Sequence, residues 1–243
     1  MSTSHLDRKE LKAPDAFLAK TGALFKVVRQ NARALFVAAA VALVGSAGYI
    51  LYQNAKAEKE MKAENELYAA KKSFVETMSK LPKGDAKAAQ DWKANSKADF
   101  ERFEALARKL PNTAAAYDAW MTLGNINFEL GSSDAAAAER AAQYFEKAST
   151  IAQGKSLQAT ALYAKAYALE TLGKYDEAIG ALSRLLDSDF KGLKADSLIA
   201  LARNNELKGD KANAVKLYEQ FMKDFPDSTM NKSVEAILAR LKK

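Results

Sequence analysis

Residues 172–186, LGKYDEAIGALSRLL, recur in outline thirty-six residues later as LKGDKANAVKLYEQF, with Gly209 in the place of Gly173, Ala214 of Ala178 and Tyr218 of Leu182. A period of this length marks a supersecondary unit that cannot bury its apolar face alone and must stack on its own copy. The chain is therefore expected to form a linear array. With four prolines and eleven glycines in 243 residues, and with Ala, Lys, Glu and Leu abundant, the units are expected to be helical. The predicted fold class is all-α.

Each unit reads as a pair of antiparallel helices. Gly124, Ala166 and Ala202 occupy equivalent places on the first helix of three successive units, and Ala141, Ala178 and Ala214 do so on the second. Where two helices cross at closest approach, neither has room for a large side chain. Around that contact lie Trp120, Leu123 and Phe145, then Leu162, Leu169 and Leu182, then Leu198, Leu201, Tyr218 and Phe221. Gly131, Gly173 and Gly209 stand where each first helix must stop, a place that favours left-handed backbone.

These residues resemble the tetratricopeptide repeat, whose tryptophan, leucine-glycine, alanine and aromatic positions are matched by Trp120, Leu123, Gly124, Ala141 and Phe145. Ala202, Ala214, Tyr218, Phe225 and Pro226 match them again. The spacing of thirty-six, the extra residues in GSSDAAAAER and the absence of later tryptophans depart from the pattern. Residues 103–111 match a second helix only, and the helix before Pro82 is expected to be its partner. The resemblance implies a solenoid of about three to four helix pairs, ending in a capping helix within TMNKSVEAILARLKK.

A second constraint lies upstream. Residues 34–55, ALFVAAAVALVGSAGYILYQNA, carry no charge, and at about 1.5 Å per residue a helix of this length reaches roughly 33 Å, enough for a bilayer core of about 30 Å. This is read as a single transmembrane helix, with Tyr49 and Tyr52 at headgroup level. A signal peptide cleaved after Ala57 is the alternative, although the apolar run is longer than a signal core and 33 residues precede it. The four cations and no acids of residues 19–33 are expected to keep the N-terminus in the cytoplasm and put the remainder outside, in the periplasm of a Gram-negative cell. Phe17, Leu18, Leu24, Phe25 and Val28 share a helical face that can lie in the headgroup layer or simply extend the spanning helix. Ala34, Ala38, Ala42 and Ser46 form a small-residue stripe that leaves room for a second helix and a homo-oligomer.

The expected organisation is a cytoplasmic segment at 1–33, the span at 34–55, a stalk helix and polar linker at 56–96, and the repeat domain at 97–243. Net charge is +4 over residues 1–33 and +3 over residues 56–243. The external part is only weakly basic and has no basic run interleaved with aromatics, so no nucleic-acid partner is expected. The absence of cysteine removes disulfides, thiol nucleophiles and zinc-cysteine sites, and the single histidine, His5, leaves no imidazole base elsewhere. No phosphate-binding glycine loop, nucleophile elbow or metal-ligand cluster is found, and acid pairs such as Glu58 with Glu60 or Asp187 with Asp189 sit among lysines. No cofactor, metal site or catalytic activity is expected.

Together, KVVRQNARALFVAAAVALVG, ENELYAAKKSFVETM and FEALARKLPNTAAAYDAWMTLGNINFELG resemble the YfgM-like family of ancillary SecYEG translocon subunits. The resemblance implies an inner-membrane adaptor whose partners are Sec translocon subunits, periplasmic chaperones or nascent envelope proteins. In tetratricopeptide domains the concave face is lined by fixed positions of each first helix. Here these are Asp118, Met121, Asn125, Phe128 and Glu129, then Tyr163, Tyr167 and Glu170, then Asp196, Ile199, Arg203 and Glu206. This mixture suits an extended peptide or a partner helix. Asn125 matches a carboxylate-gripping position of chaperone-tail binders, but Met121 stands where a cation is wanted, which argues against that subtype. The competing expectation is a structural scaffold for envelope assembly or cell division, holding one fixed folded partner.

Overall fold

The computed structural model describes residues 25–26, 28–80, 96–131, 134–188 and 190–243. Phe17, Leu18 and Leu24, the break at residues 82–85 and all of the polar excursion except Ser96 lie outside the described residues. The fold is all-α, with no strand among the described residues. The chain divides into two compact units, residues 1–57 and residues 58–243. Helix α1 (Ala32–Ser79) contributes to both. It is followed by α2 (Lys97–Lys109), α3 (Ala114–Gly131), α4 (Ala135–Ile151), α5 (Lys155–Thr171), α6 (Tyr175–Asp187), a 3-10 turn (Lys191–Leu193), α7 (Lys194–Lys208), α8 (Lys211–Asp224) and α9 (Asn231–Leu241).

In the first unit, α1 is apolar on every side. An eighteen-residue window has a mean hydropathy of 2.2 and none of it is buried, so the helix is long and apolar enough to span a membrane. Phe36, Leu43, Val44 and Leu51 are exposed in turn around it. A surface like this is costly in water and favourable in hydrocarbon.

In the second unit each helix from α2 to α9 packs on the next, and α3 also touches α5, the arrangement of stacked helix pairs. The part of α1 beyond Glu58 pairs with α2. Ala63, Leu67 and Ala70 are buried in one cluster with Phe103 and Leu106. Asp99, buried on α2, accepts hydrogen bonds from Ser73 and Thr77 at 2.7 Å each, and Arg102 sits 3.2 Å from it, so its charge is fully engaged. At the start of α3, Thr113 Oγ1 accepts from the Ala116 amide at 3.1 Å and Glu60 accepts from the Ala114 amide at 3.0 Å. Two of the helix's unpaired amides are thereby satisfied and a negative charge is set at its positive end.

The small residues stand at the crossings. Ala166, Ala202, Ala141, Ala178 and Ala214 are all at most 1% exposed. Gly124 shows why: a Cβ there would lie 2.4 Å from the Phe145 ring. The large residues around them, Leu123, Phe145, Leu162, Leu182, Tyr218 and Phe221 among them, are fully buried, each stabilising by about 1.5–3 kcal/mol. Two of the three helix-ending glycines are left-handed, Gly173 at φ 71° and Gly209 at φ 96°. After them Lys174 N donates to Leu169 O at 3.0 Å and Asp210 N to Asn205 O at 2.8 Å, the same closing bond one repeat apart. Gly131 differs from expectation. It is the last residue of α3 and is not left-handed; a Cβ on it would meet Ala138 Cβ at 2.8 Å, so there glycine serves helix contact rather than backbone reversal.

Substituting Gly124→Ala is expected to lower stability by about 1–3 kcal/mol by overpacking the Phe145 contact. At Gly180, on the open face of α6 with nothing within 4 Å, the same change raises stability by about 0.5–1 kcal/mol through helix propensity. Urea midpoints of the two variants, measured side by side, check the pair. Tyr117 gives a pH prediction. Its hydroxyl donates to Leu157 O at 2.9 Å, and burial, then the charge of Asp118, push its pKa up to about 12. A phenol raised on folding contributes stability that is complete below the unfolded value near 10 and lost as pH rises toward about 12. The stability difference between wild type and Tyr117→Phe should therefore shrink over that window. A difference that grows with pH would contradict it.

Candidate protein-binding groove

The first helices of the three units, α3, α5 and α7, set the positions of the expected groove residues. On α3, Asp118, Asn125 and Glu129 are exposed, while Met121 and Phe128 are half-buried. On α5, Tyr163, Tyr167 and Glu170 are half-buried. On α7, Asp196 is exposed and Ile199, Arg203 and Glu206 are half-buried.

Four of these residues meet. Asn125 and Phe128 of α3 and Tyr163 and Tyr167 of α5 line a cleft of about 290 Å³, with Phe145 and Ala164 completing it. The two tyrosine rings lie 5.0 Å apart and their hydroxyls 3.4 Å apart. Burial holds the Tyr163 hydroxyl pKa above its ordinary value, with Tyr167 and the charge of Asp196 acting in the same direction and Arg203 against it. Each hydroxyl can both donate and accept.

Beside the cleft, Arg203 reaches back from α7 to Glu170 of α5. Nε donates to Oε1 at 2.9 Å and Nη2 to Oε2 at 3.0 Å, a two-pronged pair that fixes the guanidinium plane. Asn204 adds a third bond to Glu170 at 2.7 Å. The Arg203 guanidinium also lies 5.1 Å over the Tyr167 ring, so one side chain ties the cleft to the next repeat.

The remaining expected residues are engaged elsewhere. Asp118 lies 3.5 Å from Lys71 of α1, and Glu206 accepts from Arg240 of α9 at 2.6 Å. Met121 packs against two buried clusters and Ile199 against a third. Phe145 and Ala164 were not among the expected lining residues, because one lies on the second helix of its unit and the other between the two expected tyrosines. The signal for Phe145 was Gly124: a residue without a side chain opposite a ring lets that ring approach the inner face. Among the described residues no group of three or more His, Cys, Asp or Glu is placed to hold a metal ion. The face offers an apolar cleft with an amide and two hydroxyl groups among its lining.

Residues 159–191, most of α5 and all of α6, and residues 196–228, most of α7 and all of α8, each match the tetratricopeptide repeat. No curated protein matches the chain. With the helix pairs, the crossing alanines and the two matched segments in register, the chain carries tetratricopeptide repeats, a fold whose general use is binding other proteins.

Proposed function

We propose that this protein is a membrane-anchored adaptor that binds proteins through the inner face of its repeats and links the Sec translocon to periplasmic chaperones during export. The observation that carries the binding role is the cleft between α3 and α5, where aromatic groups from two successive repeats converge on open space. Such a surface buries apolar side chains of a partner while hydroxyl and carboxylate groups meet its backbone. In this reading the twelve inward positions from Asp118 to Glu206 form the protein-binding groove, residues 34–55 anchor the chain in the inner membrane, and the repeats lie in the periplasm. The apolar character of α1 supports the anchor, and the cations before it support the orientation. The translocon and chaperone partners rest on the resemblance of the anchor-and-repeat organisation to the YfgM-like family.

Two measurements test this. After brief in-cell crosslinking and mild-detergent capture of the full-length protein, mass spectrometry should find translocon channel subunits enriched together with periplasmic folding factors. Enrichment of division or wall-assembly proteins, with the translocon at background, would overturn the adaptor role. In spheroplasts, added protease should digest the repeats while an N-terminal epitope tag stays protected. The reverse pattern would overturn the topology.

A further inference from the structure

The cleft has a floor and a rim of different chemistry. Its floor is apolar: the Phe145 ring, 1% exposed, with Ala164 and the face of Phe128. Its rim carries the paired hydroxyls of Tyr163 and Tyr167 and the exposed Asn125. A volume of about 290 Å³ exceeds what an isobutyl or benzyl group needs. The wall toward α7 is held in place by the Arg203, Glu170 and Asn204 bonds, so little order remains to be imposed when an occupant arrives.

The charge around the cleft is unequal. Of the twelve inward positions, Asp118, Glu129, Glu170, Asp196 and Glu206 are acidic and Arg203 alone is basic. Lys71 and Arg240 reach the same face from neighbouring helices, but they and Arg203 are each committed to a carboxylate, Asp118, Glu206 and Glu170 respectively. Asp196 is different. It is exposed, stands in no ion pair with a described residue, and lies in the first turn of α7, three residues after Leu193, which packs against the same buried cluster as Tyr163; its charge acts on that hydroxyl. In a chain whose net charge is +7, an acidic excess on this one face is local and selects an occupant of the opposite sign.

We propose that the cleft anchors one leucine- or phenylalanine-sized side chain of a bound polypeptide, and that Asp196 pairs with a lysine or arginine adjacent to it. The groove then prefers segments in which a large apolar residue neighbours a basic one. This assignment rests on the inner face being the binding surface.

The test uses the full-length protein in lipid nanodiscs, so that detergent does not compete for the cleft. The probes are short fluorescein-labelled peptides of glycine and serine with Leu-Lys, Leu-Glu or Ser-Lys at the centre, read by anisotropy. Leu-Lys should bind tightest. Ser-Lys should bind about tenfold more weakly for want of the buried side chain, and Leu-Glu roughly threefold more weakly for want of the exposed ion pair. Asp196→Lys, at an exposed position, should reverse the order of Leu-Lys and Leu-Glu. Ala164→Leu, which fills the cleft, should bring Leu-Lys and Ser-Lys together, with an unchanged thermal unfolding curve showing that the fold persists. If wild type binds all three peptides equally, or Asp196→Lys leaves the order unchanged, this inference is overturned while the groove reading stands. If wild type binds none of them, both fall.

Discussion

Everything in the repeat unit depends on how closely two helices of a pair can approach. At Gly124 there is no room for even a methyl group between the α3 backbone and the Phe145 ring, and the alanines at 166 and 202 hold the same place in the next two pairs. Close crossing lets the flanking leucines and aromatics of both helices interdigitate at the density of an organic crystal. Because each pair buries its face partly on the next pair, the small residue sets the spacing of the array as well as of its own unit.

A second layer of order runs between repeats through charge. Glu170 is paired with Arg203 from the following first helix, and Glu206, thirty-six residues later, is paired with Arg240 from the capping helix. Lys174, just before α6, reaches back to Glu139 of α4, and Lys208, the last residue of α7, reaches back to Asp176 of α6. Glu170 and Arg203 are half-buried; the more exposed pairs each stabilise little, by about 0–1 kcal/mol. Their effect is directional. Recurring about once per repeat, they favour one register of stacking over its neighbours, and the Arg203–Glu170 pair lies beside the cleft.

How far the groove could be read from the chain follows from these two layers. Phe128, Tyr163 and Tyr167 were legible because the repeat assigns fixed inward positions to each first helix, and the cleft does join them. Met121 and Ile199 were legible as inward positions, yet both lie half-buried against neighbouring clusters. Periodicity gives the face of a residue but not how far the next helix covers it. Phe145 was hidden for the opposite reason: it lies on a second helix and reaches the cleft opposite Gly124. Gly131 carried a glycine for a contact that local pattern could not separate from a helix stop.

The sequence by itself determined that the chain is helical, that its helices come in pairs, and that residues 34–55 are apolar enough for a membrane. These follow from local rules: propensity, the spacing of small and large residues, and an uncharged run of sufficient length. Tertiary structure alone decided that Arg203 meets Glu170 and stacks on Tyr167, and that Asp196 lies near Tyr163 in no ion pair with a described residue. Each of those depends on distances between residues far apart in the chain. Such distances are set by the size of every side chain packed between them, a sum that no single stretch of sequence contains.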